Sequence, residues 1–523
     1  MPLNLYKSFC SVGLLTIFSR IMGFVREILI ATELGASAVT DAIKIAIKVP
    51  SLFRRIFAEG AFNASFVPLF SDILEKEPDK KSALSFGEYI LSWLTISLCI
   101  LTLIVELLIP SLFKIMFSSF DPERLAITIK LTRIAFPFLI FISLSAFYSG
   151  ILNSIDRFFF VSSSQFIGNI FIVGFVLVSN ALNKDISISF VVAVLGCGII
   201  QFLWVMIPAH KAGFKLKIRK PKITPDVKLF FKKLTPAAFG AGVVQINILI
   251  DMWIASSLPK GFISYLDYAE RLNQLPLSVI GTAMSTVLLP LLTRTLSQSK
   301  AEDHLTIQKK SIEFAFLLVI PSMIGLILWA QPLVGMIYQY GKFSAIDTIQ
   351  TSNALMAFAF GLPAYVLIKI YSTTLFAQKD TRTPVKIAML CVGLNLALNL
   401  ILVKSMQHVG LALATAISAW TNVLLLIFVL KKRTLLAPFY QYVDFSKRLM
   451  CAVLIVLPLA FWGKFLLCDA MISHSGLMKG FIICFSTTLS FFIFLGVCIL
   501  TRALNLQSFK LKFLSYSPSE PSP

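Results

Sequence analysis

Runs of about 20 apolar residues follow one another along almost the whole chain, and fourteen can be counted between residues 8 and 501. Runs of this length match the hydrocarbon thickness of a bilayer when coiled as α-helices. Lipid offers no partner to backbone N–H and C=O groups, so only helices and closed barrels cross it. The alternation of a barrel strand is absent. The chain therefore reads as an all-α polytopic membrane protein with about 14 transmembrane helices. Composition agrees: 57% of residues are hydrophobic and 14% charged, against about 25% charged in soluble domains. The 47 phenylalanines suit lipid-facing surfaces.

A net charge of +21 raises nucleic acid as a partner, but the basic residues gather in the loops between spans. Cytoplasmic loops of membrane proteins are rich in Lys and Arg. With the N-terminus cytoplasmic, that side carries roughly 28 Lys and Arg against about 7 on the other. Both termini are then cytoplasmic, and no nucleic-acid partner is needed. The basic segment 211–234 would lie on anionic membrane lipids. The N-terminal run is interrupted by Arg20 and Arg26 and does not read as a cleavable signal peptide. Eight scattered cysteines without a CxxC pair support neither a metal centre nor a disulfide framework.

The same segment marks a boundary between similar halves. RIAFPF at 133–138, YSG at 148–150, Asp156 and Asn169 are echoed by LMAFAF at 355–360, YST at 371–373, Asp380 and Asn395. The offset stays between about 222 and 226 residues, as in a repeat. Six intervening spans make the repeat parallel. The expected layout is an N-lobe at 1–210, the linker at 211–234 and a C-lobe at 235–433. Two further helices at 434–503 and a cytoplasmic tail at 504–523 complete it.

The second span, TDAIKIAIKVPSLFRRIFAEGAF, breaks the apolar rule. At about 100° per residue, Asp41, Lys44, Lys48, Ser51, Arg55 and Glu59 share one face of a helix bent at Pro50. Charges at that depth cost about 2.5–3.5 kcal/mol each unless they face protein or water. The stripe is expected to line a polar cavity; a structural network, with Arg55 and Glu59 paired, is the alternative. Arg20 and Arg26 of the first span, Arg54, and Arg271 of the eighth add further cations. Arginine offers a permanently charged planar fork suited to phosphate oxygens, so an anion site is the stronger reading.

SRIMGFVRE, the second-span motif, YAERLNQLP, YGKFSAIDT at 340–348 and QKDTRTPVKIA at 378–388 resemble the MurJ/MviN lipid II flippase family of the MOP transporter superfamily. The resemblance runs through nearly the whole chain. It implies a multi-pass protein of the bacterial inner membrane. Such a protein moves lipid II, the undecaprenyl-pyrophosphoryl-MurNAc-pentapeptide-GlcNAc precursor of peptidoglycan, to the periplasmic leaflet by alternating access. By position it makes Arg20, Arg26, Arg54, Arg55 and Arg271 headgroup contacts. Glu27, Asp41, Lys48, Ser51, Glu59, Glu270 and Gln274 become gate or cavity residues, and the last two spans a groove for the lipid tail. Against the resemblance, Glu27 stands where the family usually has Asp, Ser51 where Asn is common, and Gln274 where some members have an acid. A monomer is expected, with cell-wall synthesis proteins as candidate partners.

Asp251, Asn395, Asn399 and Thr415 offer hard oxygen donors at positions that resemble the family's sodium site. Interhelical hydrogen bonding is the equal alternative. No cofactor is expected, and Na⁺ or the membrane potential would drive the cycle. No HExxH or P-loop occurs in the chain, and no catalytic cluster stands out. The rival readings are a flippase for another lipid-linked oligosaccharide, of O-antigen type, and a MATE-like exporter, which should line its cavity with acids.

Overall fold

A computed structural model describes residues 2–57, 61–76, 80–297, 301–473 and 476–501. Among these residues lie seventeen α-helices and no strand. In chain order they are Pro2–Leu34 (α1), Ala38–Phe57 (α2), Ala61–Lys76 (α3), Lys81–Met116 (α4), Pro122–Ala135 (α5), Phe138–Ser154 (α6), Phe158–Ala181 (α7), Ile186–Lys211 (α8) and Pro225–Ser256 (α9). There follow Phe262–Ser297 (α10), Ala301–Leu328 (α11), Ala330–Tyr338 (α12), Ala345–Phe360 (α13), Leu362–Ala377 (α14), Arg382–Lys432 (α15), Tyr440–Ser473 (α16) and Gly476–Leu500 (α17).

Seven stretches among the described residues are long and apolar enough to cross a membrane: α4, α5 with α6, α7, α8, most of α11, α13 with α14, and α15. The chain is a multi-pass membrane protein. α2 falls outside that set because Asp41, Lys44, Lys48, Arg54 and Arg55 leave it no purely apolar window, and together with α1 it builds the site below.

Of the expected second span, at 38–71, α2 and α3 are described, and residues 58–60, and so Glu59, lie outside the described residues. Two other expected spans are divided. The fourth breaks at Pro137, between α5 and α6, and the tenth at Gly361, just before Pro363. Proline has no N–H to continue the helical ladder. The eleventh and twelfth meet within α15 at Gln407, whose φ of 50° and ψ of −130° are not helical, so a sharp kink parts the two between their expected bounds.

The helices form two compact units, residues 1–267 with 338–347, and residues 268–337 with 348–523. The first unit therefore extends through the expected boundary segment and on to Asp267. Segment 212–224 is packed there on α4. Phe214 and Leu216 are buried, Lys217 N and the Arg219 guanidinium bind the Glu88 carboxylate at 3.1 and 2.7 Å, and Arg219 N donates to Ser92 Oγ at 2.9 Å.

Aromatic packing builds the interior of the first unit. The Phe66 ring lies 5.4 Å from Phe62, 5.2 Å from Phe70, 5.8 Å from Phe86 and 5.1 Å from Phe147. Phenylalanines expected against lipid thus also fill the core, where buried rings contribute large apolar areas. The second unit packs Leu288, Leu292, Leu362, Ile370, Leu375 and Leu430 into an aliphatic core.

The backbone repeats itself. Pro122–Ser154 and Ala345–Ala377 differ by 223 residues at both ends. The left-handed residues follow the same spacing: Gly35 and Gly261 are 226 apart, Asp156 and Lys379 223, Asn183 and Gln407 224, and Gly213 and Thr434 221. A positive φ marks a turn that the chain cannot adopt by default, so four matching pairs extend the sequence echo to the local structure of both copies.

Candidate functional site: a charged network in the first unit

α2 presents its charges at graded depth. Asp41 is wholly buried, the Lys44 side chain is 5% exposed, that of Lys48 32%, and Arg55 is exposed. The expected stripe therefore does not face water along its length. Its first two members are enclosed by protein, and only the far end opens. Pro50 sits within an unbroken α2, and the Ser51 hydroxyl donates to the Ile47 carbonyl at 2.8 Å within that helix.

Enclosure demands partners, because an unpaired buried charge costs several kcal/mol. Asp41 accepts four hydrogen bonds: from Arg124 Nη2 at 2.7 Å, Gly261 N at 2.7 Å, Ser264 N at 2.8 Å and Ser264 Oγ at 2.6 Å. Arg124 in turn lies over the Phe120 ring, 3.7 Å from its centre. This carboxylate ties α2 to α5 and to the α9–α10 turn. Close glycine contacts brace the same region. Lys342 N donates to the Thr32 carbonyl at 2.8 Å, and Gly341, with φ +57°, has its α-carbon so near that a Cβ would lie 2.3 Å from the Thr32 oxygen.

One turn further along α2, Lys44 binds the carboxylates of Glu27 and, at 2.7 Å, Asp267. Asp267 also faces Lys48 at 3.8 Å. Glu27 reaches its neighbour Arg26, whose Nη2 is 2.8 Å away. The Arg26 Nη1 donates to Asn169 Oδ1 at 3.2 Å, and Asn169 Nδ2 donates to the Ser19 carbonyl at 3.2 Å. Basic and acidic groups from α1, α2 and the start of α10 thus form one chain of contacts, with α7 supplying the amide.

The family profile described as Lipid II flippase MurJ matches residues 30–505. The chain belongs to the MurJ lipid II flippase family. A Burkholderia cenocepacia protein named Lipid II flippase MurJ is 31% identical over 473 residues, covering 88% of this chain and 90% of the relative. A Rickettsia prowazekii protein named a probable lipid II flippase MurJ is 36% identical over 427 residues, 81% of this chain and 83% of its own. The solved structure of a lipid II flippase MurJ in an inward closed conformation superposes with a TM-score of 0.77 at 29% identity, over 94% of this chain and 99% of that one. A multidrug resistance MATE family transporter of the MOP superfamily, inward-facing, gives a TM-score of 0.62 at 14% identity over 78% and 98%, and shares the fold.

The remaining residues expected from the MurJ resemblance lie as follows. Arg20 is exposed on α1 and Arg54 half-buried on α2. Glu270, Arg271 and Gln274 belong to α10 in the second unit, where Gln274 Nε2 donates to Glu270 Oε1 at 2.8 Å. The Gln274 amide therefore serves as a donor to a carboxylate one turn earlier, where an acid in its place would repel it. Asn395, Asn399 and Thr415 are brought together in the second unit: Asn399 Nδ2 donates to Asn395 Oδ1 at 2.9 Å, and Asn395 Nδ2 reaches Thr415 Oγ1 at 3.5 Å. Asp251 lies in the first unit and accepts from Asn247 at 3.3 Å. Three neutral oxygen donors in one place are compatible with a hard cation, and their mutual hydrogen bonds are equally those of an interhelical polar contact.

Sequence reasoning did not find Arg124 or Ser264. Arg124 stands in an ordinary polar stretch, DPERLAITIK, and Ser264 in an apolar one, so neither type nor spacing marks them. Asn169 did carry a signal, since it recurs as Asn395 in the repeat.

Proposed function

We propose that the chain flips lipid II from the cytoplasmic to the periplasmic leaflet of the bacterial inner membrane, with both termini cytoplasmic. Family membership over nearly the whole chain supports the substrate, as do relatives named lipid II flippase. As a member of a flippase family it is a transporter rather than an enzyme. The observation that carries the site is the graded stripe of α2 beside Arg26: cations are held by acids at the buried end and rise toward exposure at Lys48 and Arg55. A pyrophosphate would exchange its water for such guanidinium forks through charge-assisted bonds.

The work is positional. Arg20, Arg26, Arg54, Arg55 and Arg271 would hold the headgroup, while alternating access carries it across. The membrane potential acts on each moved charge by about 2.3 kcal/mol per 100 mV, and negative inside it favours export of an anion. Na⁺ held by Asn395, Asn399 and Thr415, with Asp251, would add to that drive. The exposed lysines of segment 212–224 would rest on anionic lipid headgroups. The protein would act as a monomer, and cell-wall synthesis proteins would meet its basic loops.

The test is complementation in cells depleted of their own lipid II flippase, with precursor accessibility scored at the periplasmic face. Rescue by wild type and its loss in well-expressed Arg26→Ala, Arg55→Ala and Arg271→Ala are the expected results. Rescue by all three variants would return these charges to a structural role. Failure of correctly inserted wild type would point to another lipid-linked sugar.

A further inference from the structure

The Arg26 guanidinium has two neighbours of unequal kind. Glu27 accepts from Nη2, but its other oxygen is taken by Lys44, so one negative charge is divided between two cations. Asn169 accepts from Nη1 and brings no charge at all. Its orientation is settled by the Ser19 carbonyl, which can only accept and so draws the amide NH₂ group, turning the oxygen to Arg26. Arg26 Nε is buried without a hydrogen-bond partner, and 22% of the side chain stays exposed.

The internal repeat provides a comparison. Gly35 and Gly261 are equivalent turn residues 226 apart, and Asn169 and Asn395 have the same separation. At that offset the counterpart of Arg26 is Met252. The fold therefore keeps the asparagine in both copies while the arginine occurs in one, so packing of the repeat does not require the Arg–Asn bond.

We propose that Asn169 is a positioning residue for substrate recognition: a neutral acceptor that fixes the Arg26 guanidinium and leaves its charge for the pyrophosphate. This rests on the reading of Arg26 as a headgroup contact. An aspartate at 169 would bind Arg26 more strongly, yet it would cancel the charge that the ligand needs.

The experiment uses the full-length protein in detergent, with undecaprenyl pyrophosphate as the binding probe and thermal melting measured in parallel. Asn169→Asp is expected to melt at or above the wild-type temperature and to bind the probe about tenfold or more weakly, the worth of a charged hydrogen bond. Glu27→Gln, which removes the acid on Arg26, is expected to melt lower and to bind at least as tightly as wild type. Near-wild-type binding by Asn169→Asp overturns the proposal. Should that variant fail to fold, weaker binding by Glu27→Gln overturns it instead. Wild-type binding by Arg26→Ala would sink the underlying reading of Arg26 and is told apart by that arm alone.

Discussion

The carboxylate of Asp41 receives both the backbone N–H and the hydroxyl of Ser264, 223 residues further along the chain, at 2.8 and 2.6 Å. With Arg124 and Gly261 it completes a polar node of four donors on one carboxylate. The resemblance places Asp41 among gate residues. Its burial makes it first a joint among α2, α5 and the α9–α10 turn, and stability is where its loss should be read.

Asp41→Asn leaves the Arg124 guanidinium, 4% exposed, beside a neutral amide. Removing one partner of a buried pair costs about 3–5 kcal/mol. The variant should melt well below wild type in detergent. Arg124→Gln combined with Asp41→Asn should cost less than the two single losses added, because the stranded charge is gone.

Lys44 serves two acids at once, so Lys44→Met takes a buried partner from both Glu27 and Asp267, leaving Arg26 to the first and the more distant Lys48 to the second. A destabilisation of about 3–5 kcal/mol is expected, and adding Glu27→Gln should recover part of it. A thermal-melt double-mutant cycle measures the recovery; strict additivity would show that the two side chains do not interact.

Arg26 and Arg55 should separate in stability although both are expected to abolish flipping when replaced by alanine. Arg55 is exposed, and its loss should change stability by no more than about 0.5 kcal/mol. Arg26 is tied to Glu27 and Asn169, and its loss should cost about 1–3 kcal/mol. Melting curves of the two variants beside their complementation give the comparison.

Asp380, in the turn before α15, accepts from the Thr383 hydroxyl at 2.6 Å, from Thr383 N at 3.0 Å and from Arg433 at 2.7 Å. These bonds, the Thr383 hydroxyl first, hold its carboxyl down at about 2, below the ordinary 3.8. A folded-state value below the unfolded one stabilises above the unfolded value, and the stability is lost as pH falls through the folded value. The stability gap between wild type and Asp380→Asn should therefore be full near about pH 5 and close toward about pH 2. Acid titration of the melting temperature checks it.

Gly341→Ala should fail for a local reason. Its left-handed backbone alone costs about 1–2 kcal/mol for a residue with a Cβ, and that Cβ would lie 2.3 Å from the Thr32 carbonyl oxygen. A loss exceeding the backbone figure is expected in the melting curve; a smaller one would mean that the turn yields.

The sequence by itself determined what depends on neighbours along the chain. Apolar runs mark the helices of α4, α7 and α8, and proline chemistry the breaks near Pro137 and Pro363. The constant offset announces the repeat, and helical periodicity sets Asp41, Lys44, Lys48 and Arg55 on one face. Periodicity names a face but not what packs against it. Depth along α2, the four donors on Asp41, and the choice of Asn169 to hold Arg26 were decided only by the tertiary structure. Their partners lie 83, 220, 223 and 143 residues away. Contacts over such separations follow from how helices pack, and a polar residue far along the chain carries no local mark of the charge that it will meet.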